Sequence, residues 1–165
     1  MLPRHRVSAS GWRPVTARSA ERLRVGVDLV AVADVAASVL HFGDRYVRRL
    51  FTPHEIDCCR RPARTGDGSV PYSMESLAAR FAAKEAVIKV LRPTDGQPDW
   101  RSIEVHRLAG GWCEIRLSGR AAVLAGDAGI DDFSVSLTHE AGAAAAVVVA
   151  RCRVIERTST EEGDG

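Results

Sequence analysis

The sequence predicts an α+β fold in which one long helix packs across an antiparallel sheet. The longest run of good helix formers covers residues 74–91 and places apolar side chains at helical spacing. Much of the second half alternates apolar and polar residues, at 103–106, 112–117 and 133–139, as half-buried strands do. A nearly all-apolar run at 143–152 supplies a returning strand.

Composition narrows the class of protein. The 165 residues suffice for one ordinary domain with its own core. The net charge of +2 says little about nucleic acid, but 5% aromatic residues are too few for a platform on which single-stranded bases stack. The four cysteines have neither zinc-site nor disulfide-framework spacing, which favours a reducing compartment. No apolar run has the length of a membrane span, so we expect a cytoplasmic protein with no nucleic-acid or membrane partner.

The two ends of the sequence differ in composition from the middle and are not expected to belong to the folded domain. Residues 1–22 are rich in arginine and lack apolar periodicity, which fits a disordered extension or an upstream start codon, although a transit peptide has a similar composition. The ordered domain is expected over residues 23–153. Residues 154–165 read as an acidic tail.

The predicted order of elements is β-α-α-α-β-β-α-β-β. Thr52 starts a helix most clearly, because Pro53 suits the first helical position and Glu55 completes a capping box. Ser73 is the expected cap of the long helix. The other predicted elements are a buried strand at 23–30, a helix at 33–40, a loop at 63–71, a hairpin turning at Gly110-Gly111, and an alanine-rich helix at 119–127.

Charged residues interrupt the long helix. Glu85 and Lys89 lie one turn apart, at the margin of an inward stripe formed by Leu77, Phe81, Ile88 and Leu91. A surface ion pair worth about 0.2–0.5 kcal/mol is one interpretation. A functional site is the other.

Asp28 lies in an otherwise apolar strand, where an unpaired carboxylate would be costly. It is either a strand-end cap or a functional group. If this strand packs on the long helix, Asp28 and Glu85 could converge as oxygen ligands for Mg²⁺. Arg80 and Lys89 would then supply positive charge to a phosphorylated substrate.

His139 ends a predicted strand, where it is either a structural hydrogen-bonding group or a site residue. No glycine-rich phosphate loop and no Gly-x-Ser-x-Gly elbow occurs in the sequence.

Three motifs together resemble those of the holo-acyl-carrier-protein synthases, the small single-domain 4′-phosphopantetheinyl transferases. They occur in the family's order and spacing, with Phe51-Thr52-x-x-Glu55 between the first two. The motifs are Val25-Gly26-Val27-Asp28-Leu29-Val30, then Arg80-Phe81-Ala82-Ala83-Lys84-Glu85-Ala86-x-x-Lys89, then Val135-Ser136-Leu137-Thr138-His139. The resemblance covers about residues 23–152.

The resemblance implies transfer of the 4′-phosphopantetheine arm of coenzyme A to a carrier-protein serine, with release of adenosine 3′,5′-bisphosphate. It implies Mg²⁺ on Asp28 and Glu85, which together with Lys89 form the catalytic set. It also implies coenzyme contacts from Arg80, Lys84, Lys89 and His139, and a homotrimer with sites between subunits. The alternative is a catalytically degenerate trimer that binds coenzyme A or carrier proteins.

Two departures from the family pattern bear on specificity. Asp34 occupies the position where the family usually carries a carrier-docking arginine, although Arg45, Arg48 and Arg49 keep a basic cluster nearby. We therefore expect a carrier different from that of a primary fatty-acid enzyme, for example one from polyketide or peptide synthesis. Residues 92–96 replace the family's usual Gly-Thr-Gly, which bears on coenzyme affinity.

Overall fold

A three-stranded antiparallel sheet and one long helix form the centre of the fold. The structure is a computed structural model that describes residues 22–61 and 71–153. Its elements, in chain order, are β1 (Arg22–Ala31), α1 (Val32–Phe42), α2 (Asp44–Leu50), α3 (Pro53–Cys59), α4 (Met74–Leu91), β2 (Ile103–Arg107), β3 (Cys113–Leu117), α5 (Gly119–Asp127), β4 (Ile130–Glu140) and β5 (Ala143–Cys152).

The sheet has the order β1-β5-β4, with every neighbouring pair antiparallel. β2 and β3 form a separate two-stranded hairpin. In the register of the main sheet, Ala146 on β5 lies opposite Asp28 on β1 and Leu137 on β4. One residue pair further along this inward face, Ala144 lies between Val30 and His139. This arrangement confirms the predicted α+β fold.

The long helix α4 is buried on nearly all sides. Ser73 caps it as predicted, because its side chain accepts a hydrogen bond from the Ser76 amide. The sequence predicted a single buried stripe on α4, but the buried surface is wider. The sheet covers one side of the helix, and α1, α3 and β2 cover the other. Phe81, predicted to point inward, is only partly buried. A helix between two layers needs apolar residues all round, and the abundant alanines of α4 provide them.

Among residues 22–61 and 71–153, four α-helices precede β2, where three were predicted. The additional helix is α2, which begins after Gly43 without a side-chain cap and carries three arginines in seven residues. Neither a capping signal nor a clear apolar period marks it in the sequence. The capping box at Thr52 is confirmed, with the Glu55 carboxylate accepting from the Thr52 amide at 2.8 Å. α3 ends at Cys59, slightly before the expected end near Pro62.

The predictions for the arginine-rich start, the loop at 63–71 and the acidic tail fall almost entirely outside the described residues. β1 begins at Arg22, one residue earlier than expected. Within the described ranges, no helix is long and apolar enough to cross a membrane. All four cysteines are free thiols.

Candidate active site

A close crossing of β1 and α4 creates the candidate site. At Gly26 a Cβ atom would lie only 2.0 Å from the Ala86 carbonyl oxygen, so any side chain there would force the two elements apart. Alternate residues of a strand share a face, and Asp28 therefore lies on the same side of β1 as Gly26. The crossing thus brings Asp28 to the helix turn that carries Glu85 and Lys89.

Lys89 is the cation that compensates Asp28. Its Nζ donates to Asp28 Oδ1 at 2.9 Å and to the Val27 carbonyl oxygen at 2.7 Å. The Asp28 side chain is 18% exposed, whereas that of Lys89 is 51% exposed. The predicted convergence of strand and helix is therefore observed, and the lysine pairs with the strand aspartate and not with Glu85.

Glu85 lies beside this pair with its carboxylate uncommitted. It has no hydrogen bond or ion pair to any residue in the part of the chain that the structure describes. Burial and the nearby negative charge of Asp28 raise the pKa of Glu85, while Lys89 partly offsets them. A carboxylate with a raised pKa and a free lone pair can hold a cation or take up a proton.

The donor set of this site fits a hard cation that is shared with a substrate. Asp28 and Glu85 offer only oxygen ligands, and the mutual repulsion of the two carboxylates favours a positive ion between them. No cluster of three or more histidine, cysteine or acidic residues suitable for a metal occurs within residues 22–61 and 71–153. Mg²⁺ needs no such cage, because it commonly binds one or two carboxylates together with substrate phosphates and water.

Arg80 is buried without a counter-charge. Only 6% of it is exposed, and its Nη1 donates to the Ser76 carbonyl oxygen at 3.2 Å, while Nε has no partner in the described part of the chain. The guanidinium lies beside Cys59, where it opposes the burial that raises the pKa of that thiol to about 11. Among the described residues no carboxylate pairs with Arg80. An anionic ligand would satisfy this group.

Lys84 is placed in the interior and not on the coenzyme-facing surface that the resemblance implied. The residue is fully buried, and its Nζ pairs with Glu55 Oε2 at 2.9 Å. It also donates to the carbonyl oxygens of Trp100 and Ile103. All three ammonium hydrogens are therefore used within the protein.

His139 lies at the exposed end of β4, near Glu75 at the start of α4. β5 intervenes between β4 and β1, so His139 and Asp28 are on strands about 10 Å apart. The structure therefore does not bring His139 into the Asp28–Glu85–Lys89 cluster of the same chain.

Two contributors to this region were not identified from the sequence as functional. Gly26 is one of them, and a glycine inside an apolar strand is the usual signal for a close backbone approach. Glu55 is the other, since its sequence pattern indicates a helix cap and not an ion pair. Its ion pair joins residues 29 positions apart in the chain, and no local pattern could have shown this pair.

Comparison with known proteins identifies the family. A model of the 4′-phosphopantetheinyl transferase superfamily matches residues 24–148. A holo-[acyl-carrier-protein] synthase of Desulforudis audaxviator is 41% identical over 128 residues, covering 78% of this chain and 92% of the relative. That of Moorella thermoacetica is 37% identical over 141 residues, covering 86% of this chain and 99% of the relative.

Solved structures support the same family assignment. A Helicobacter pylori holo-[acyl-carrier-protein] synthase in complex with coenzyme A is 29% identical, with a TM-score of 0.62 over 77% of this chain and 99% of that one. The Mycobacterium tuberculosis acyl carrier protein synthase is 35% identical, with a TM-score of 0.56 over 76% and 94%. The chain belongs to the 4′-phosphopantetheinyl transferase superfamily, and within it to the holo-[acyl-carrier-protein] synthases.

Proposed function

We propose that this enzyme transfers the 4′-phosphopantetheine arm of coenzyme A to a serine of an apo carrier protein, in a Mg²⁺-dependent reaction. The observation that carries the proposal is the uncommitted Glu85 carboxylate beside the Asp28–Lys89 pair. A related synthase whose structure holds coenzyme A supports the choice of co-substrate.

The proposed reaction is a substitution at phosphorus. The carrier serine oxygen forms a bond to the phosphorus that bears the pantetheine arm, and the pyrophosphate P–O bond breaks. Adenosine 3′,5′-bisphosphate leaves with the bonding electron pair. The serine proton goes to the Glu85 carboxylate, which lies beside the Asp28–Lys89 pair and has no hydrogen-bond partner among the described residues.

Positive groups position the phosphates. A cation held by Asp28 and Glu85 would neutralise part of the pyrophosphate charge. Lys89, half exposed and bonded at present to Asp28, can turn toward the non-bridging oxygens when that carboxylate holds the cation. Arg80 is assigned to a further coenzyme phosphate because its buried guanidinium has no anionic partner in residues 22–61 and 71–153. Lys84 has no donor to spare for the coenzyme.

We further propose the homotrimer that the family resemblance implies. The outward face of β1 is apolar and open, with Leu23, Val25, Val27 and Leu29 each more than half exposed. Such a face is typical of an interface between subunits. A neighbouring subunit could then bring its His139 to this chain's site, in a role of positioning the coenzyme. The substitution Val27→Glu should yield monomers in sedimentation velocity, and an unchanged assembly would contradict this interface.

The carrier preference is proposed from the charges near α1 and α2. Asp34 is exposed in the first turn of α1, and on α2 a cavity of about 610 Å³ is lined by Phe42, Arg45, Tyr46 and Arg49. The negative charge at Asp34 would repel an acidic carrier, while the arginines would attract one. We therefore propose a polyketide or peptide-synthesis carrier that docks mainly on α2.

A panel of apo carriers tests both proposals. Each carrier is incubated with coenzyme A, Mg²⁺ and enzyme, and mass spectrometry detects the added arm. We expect transfer to at least one carrier, and Asp34→Arg should speed transfer to a fatty-acid carrier. Failure on every carrier would favour a protein that only binds coenzyme A or carriers, and equal rates for Asp34→Arg and wild type would contradict the docking proposal.

A further inference from the structure

The fully buried ion pair of Glu55 and Lys84 adjoins the candidate site without belonging to it. We propose that this pair is a positioning device, which fixes the rotation of α4 about its own axis so that Glu85 and Lys89 face Asp28. The inference deepens the proposed transfer reaction and rests on it for the kinetic part of its test.

Lys84 is held from three directions. Its Nζ lies 2.9 Å from Glu55 Oε2 and 2.9 Å from the Trp100 carbonyl oxygen, and it also donates to the Ile103 carbonyl oxygen. The side chains of Lys84 and Glu55 are both 0% exposed. Because an ammonium group has three hydrogens, this arrangement leaves none of them unused.

Glu55 is held equally firmly. Its Oε1 accepts from the Val105 amide of β2 at 2.9 Å. Its Oε2 accepts from the Thr52 amide at the cap of α3 at 2.8 Å, in addition to Lys84. The pair therefore ties α4 to α3 and to β2, and α4 cannot rotate without breaking several buried hydrogen bonds.

Three consecutive residues of α4 explain why this tie bears on the chemistry. Lys84 is bonded to α3 and β2, while the carbonyl oxygen of Ala86 lies in close contact with Gly26 of β1. Glu85 lies between these two fixed points. Successive helix residues point about 100° apart, so fixing its two neighbours determines the direction in which Glu85 projects. A displacement of about 1 Å at a reacting group can cost about a hundredfold in rate.

Stability alone does not account for a buried pair of this kind. Two apolar residues of similar volume would commonly stabilise a core as well as a buried ion pair does. Apolar contacts do not depend strongly on orientation. The five hydrogen bonds of Glu55 and Lys84 do, and they are compatible with only one rotation of α4 about its axis. The network therefore suits a helix whose rotation is functionally constrained.

The kinetic test uses Lys84→Met, with Leu77→Ala as the matched control. Leu77 is also fully buried on α4 and lies two turns before the site, so its truncation destabilises the helix without removing any hydrogen bond of the network. Both variants are assayed well below their unfolding temperatures. We expect kcat of Lys84→Met to fall at least about tenfold, with KM for coenzyme A within twofold of wild type and Leu77→Ala near wild type.

Other results would overturn the proposal. A raised KM with unchanged kcat would make Lys84 a coenzyme contact, and a folded variant with both constants unchanged would make the pair merely structural. If Lys84→Met does not fold, Glu55→Asp replaces it, because it keeps the charge while shortening the side chain, and a smaller kcat loss with the same pattern is expected.

A readout independent of activity separates this proposal from the proposed reaction. Crystal structures of wild type and Lys84→Met should differ in the Lys89–Asp28 contact, which is 2.9 Å in the wild type. We expect this contact to be broken or Glu85 to be displaced by about 1 Å or more. An unchanged site geometry would overturn the positioning role. If the wild type transfers no arm to any carrier, the proposed reaction fails, and the crystallographic comparison still decides the role of the pair.

Discussion

Two carboxylate–lysine pairs use neighbouring turns of α4, and they differ in how completely their polar atoms are satisfied. Glu55 and Lys84 are fully buried, and every charged atom of the pair has a partner within the protein. Asp28 and Lys89 are partly open, and the adjoining Glu85 has no polar partner among the described residues. A satisfied network fixes the position of the helix, whereas an unsatisfied carboxylate marks where a ligand belongs.

The largest effect is expected from the open pair. Asp28→Asn should lower turnover by about 10²–10⁴-fold, because it removes a proposed cation ligand and the partner of Lys89. The measurement is the initial rate of arm transfer at saturating coenzyme A and Mg²⁺. Asp132→Asn is the control, since Asp132 is 59% exposed and lies on the outer β4 strand. A variant of Asp28 with wild-type turnover would remove this residue from the reaction.

The next largest effect is expected on stability, at the crossing of β1 and α4 that joins the open pair. Gly26→Ala should destabilise the protein by about 3 kcal/mol, because the added methyl group would overlap the Ala86 carbonyl oxygen. Gly126→Ala is the matched control. Its added Cβ would meet nothing within 4 Å, and a helical alanine should stabilise α5 by about 0.5–1 kcal/mol. Urea unfolding measures both changes, and equal stability of the two variants would contradict the close crossing.

Substitution of the two lysines should have different effects, mainly on stability for Lys84 and mainly on turnover for Lys89. Lys84→Met should cost about 3–5 kcal/mol of unfolding free energy, because it leaves the Glu55 carboxylate buried without its counter-charge. Lys89→Met should cost less than about 1 kcal/mol, since that lysine is half exposed. Turnover of Lys89→Met should nevertheless fall, with little change in carrier affinity. Chemical denaturation measures the stability of each variant, the rate of arm transfer measures turnover, and titration with carrier measures affinity. The reverse ranking in stability would contradict the difference between the two lysines.

The smallest effect concerns the dependence of stability on pH. The pKa of Glu85 is raised in the folded chain by burial and by Asp28, so its ionised form lowers stability. This penalty is complete above the folded pKa and disappears below the ordinary value near 4.5. In metal-free buffer, Glu85→Gln should therefore melt above wild type at pH 7, with the difference shrinking on acidification. A gain that grew toward low pH would have the wrong sign.

The sequence predicted those features that depend on local patterns. The caps at Thr52 and Ser73 could be found because their partners lie three residues away. The meeting of Asp28 and Glu85 followed from pairing a carboxylate-bearing strand with a carboxylate-bearing helix. The sequence left open which lysine of α4 would be buried, because Glu55 reaches Lys84 across 29 residues of chain. α2 was missed because Gly43 provides no side-chain cap.

We propose that the uncommitted Glu85 carboxylate completes a cation site beside Asp28. Calorimetric titration of Mg²⁺ into the enzyme saturated with coenzyme A tests this site, with Glu85→Gln and the exposed-site control Asp132→Asn alongside. We expect Mg²⁺ to bind to wild type and to Asp132→Asn, and to bind at least about tenfold more weakly to Glu85→Gln, equivalent to about 1.4 kcal/mol. Equal Mg²⁺ affinity in all three proteins would contradict it.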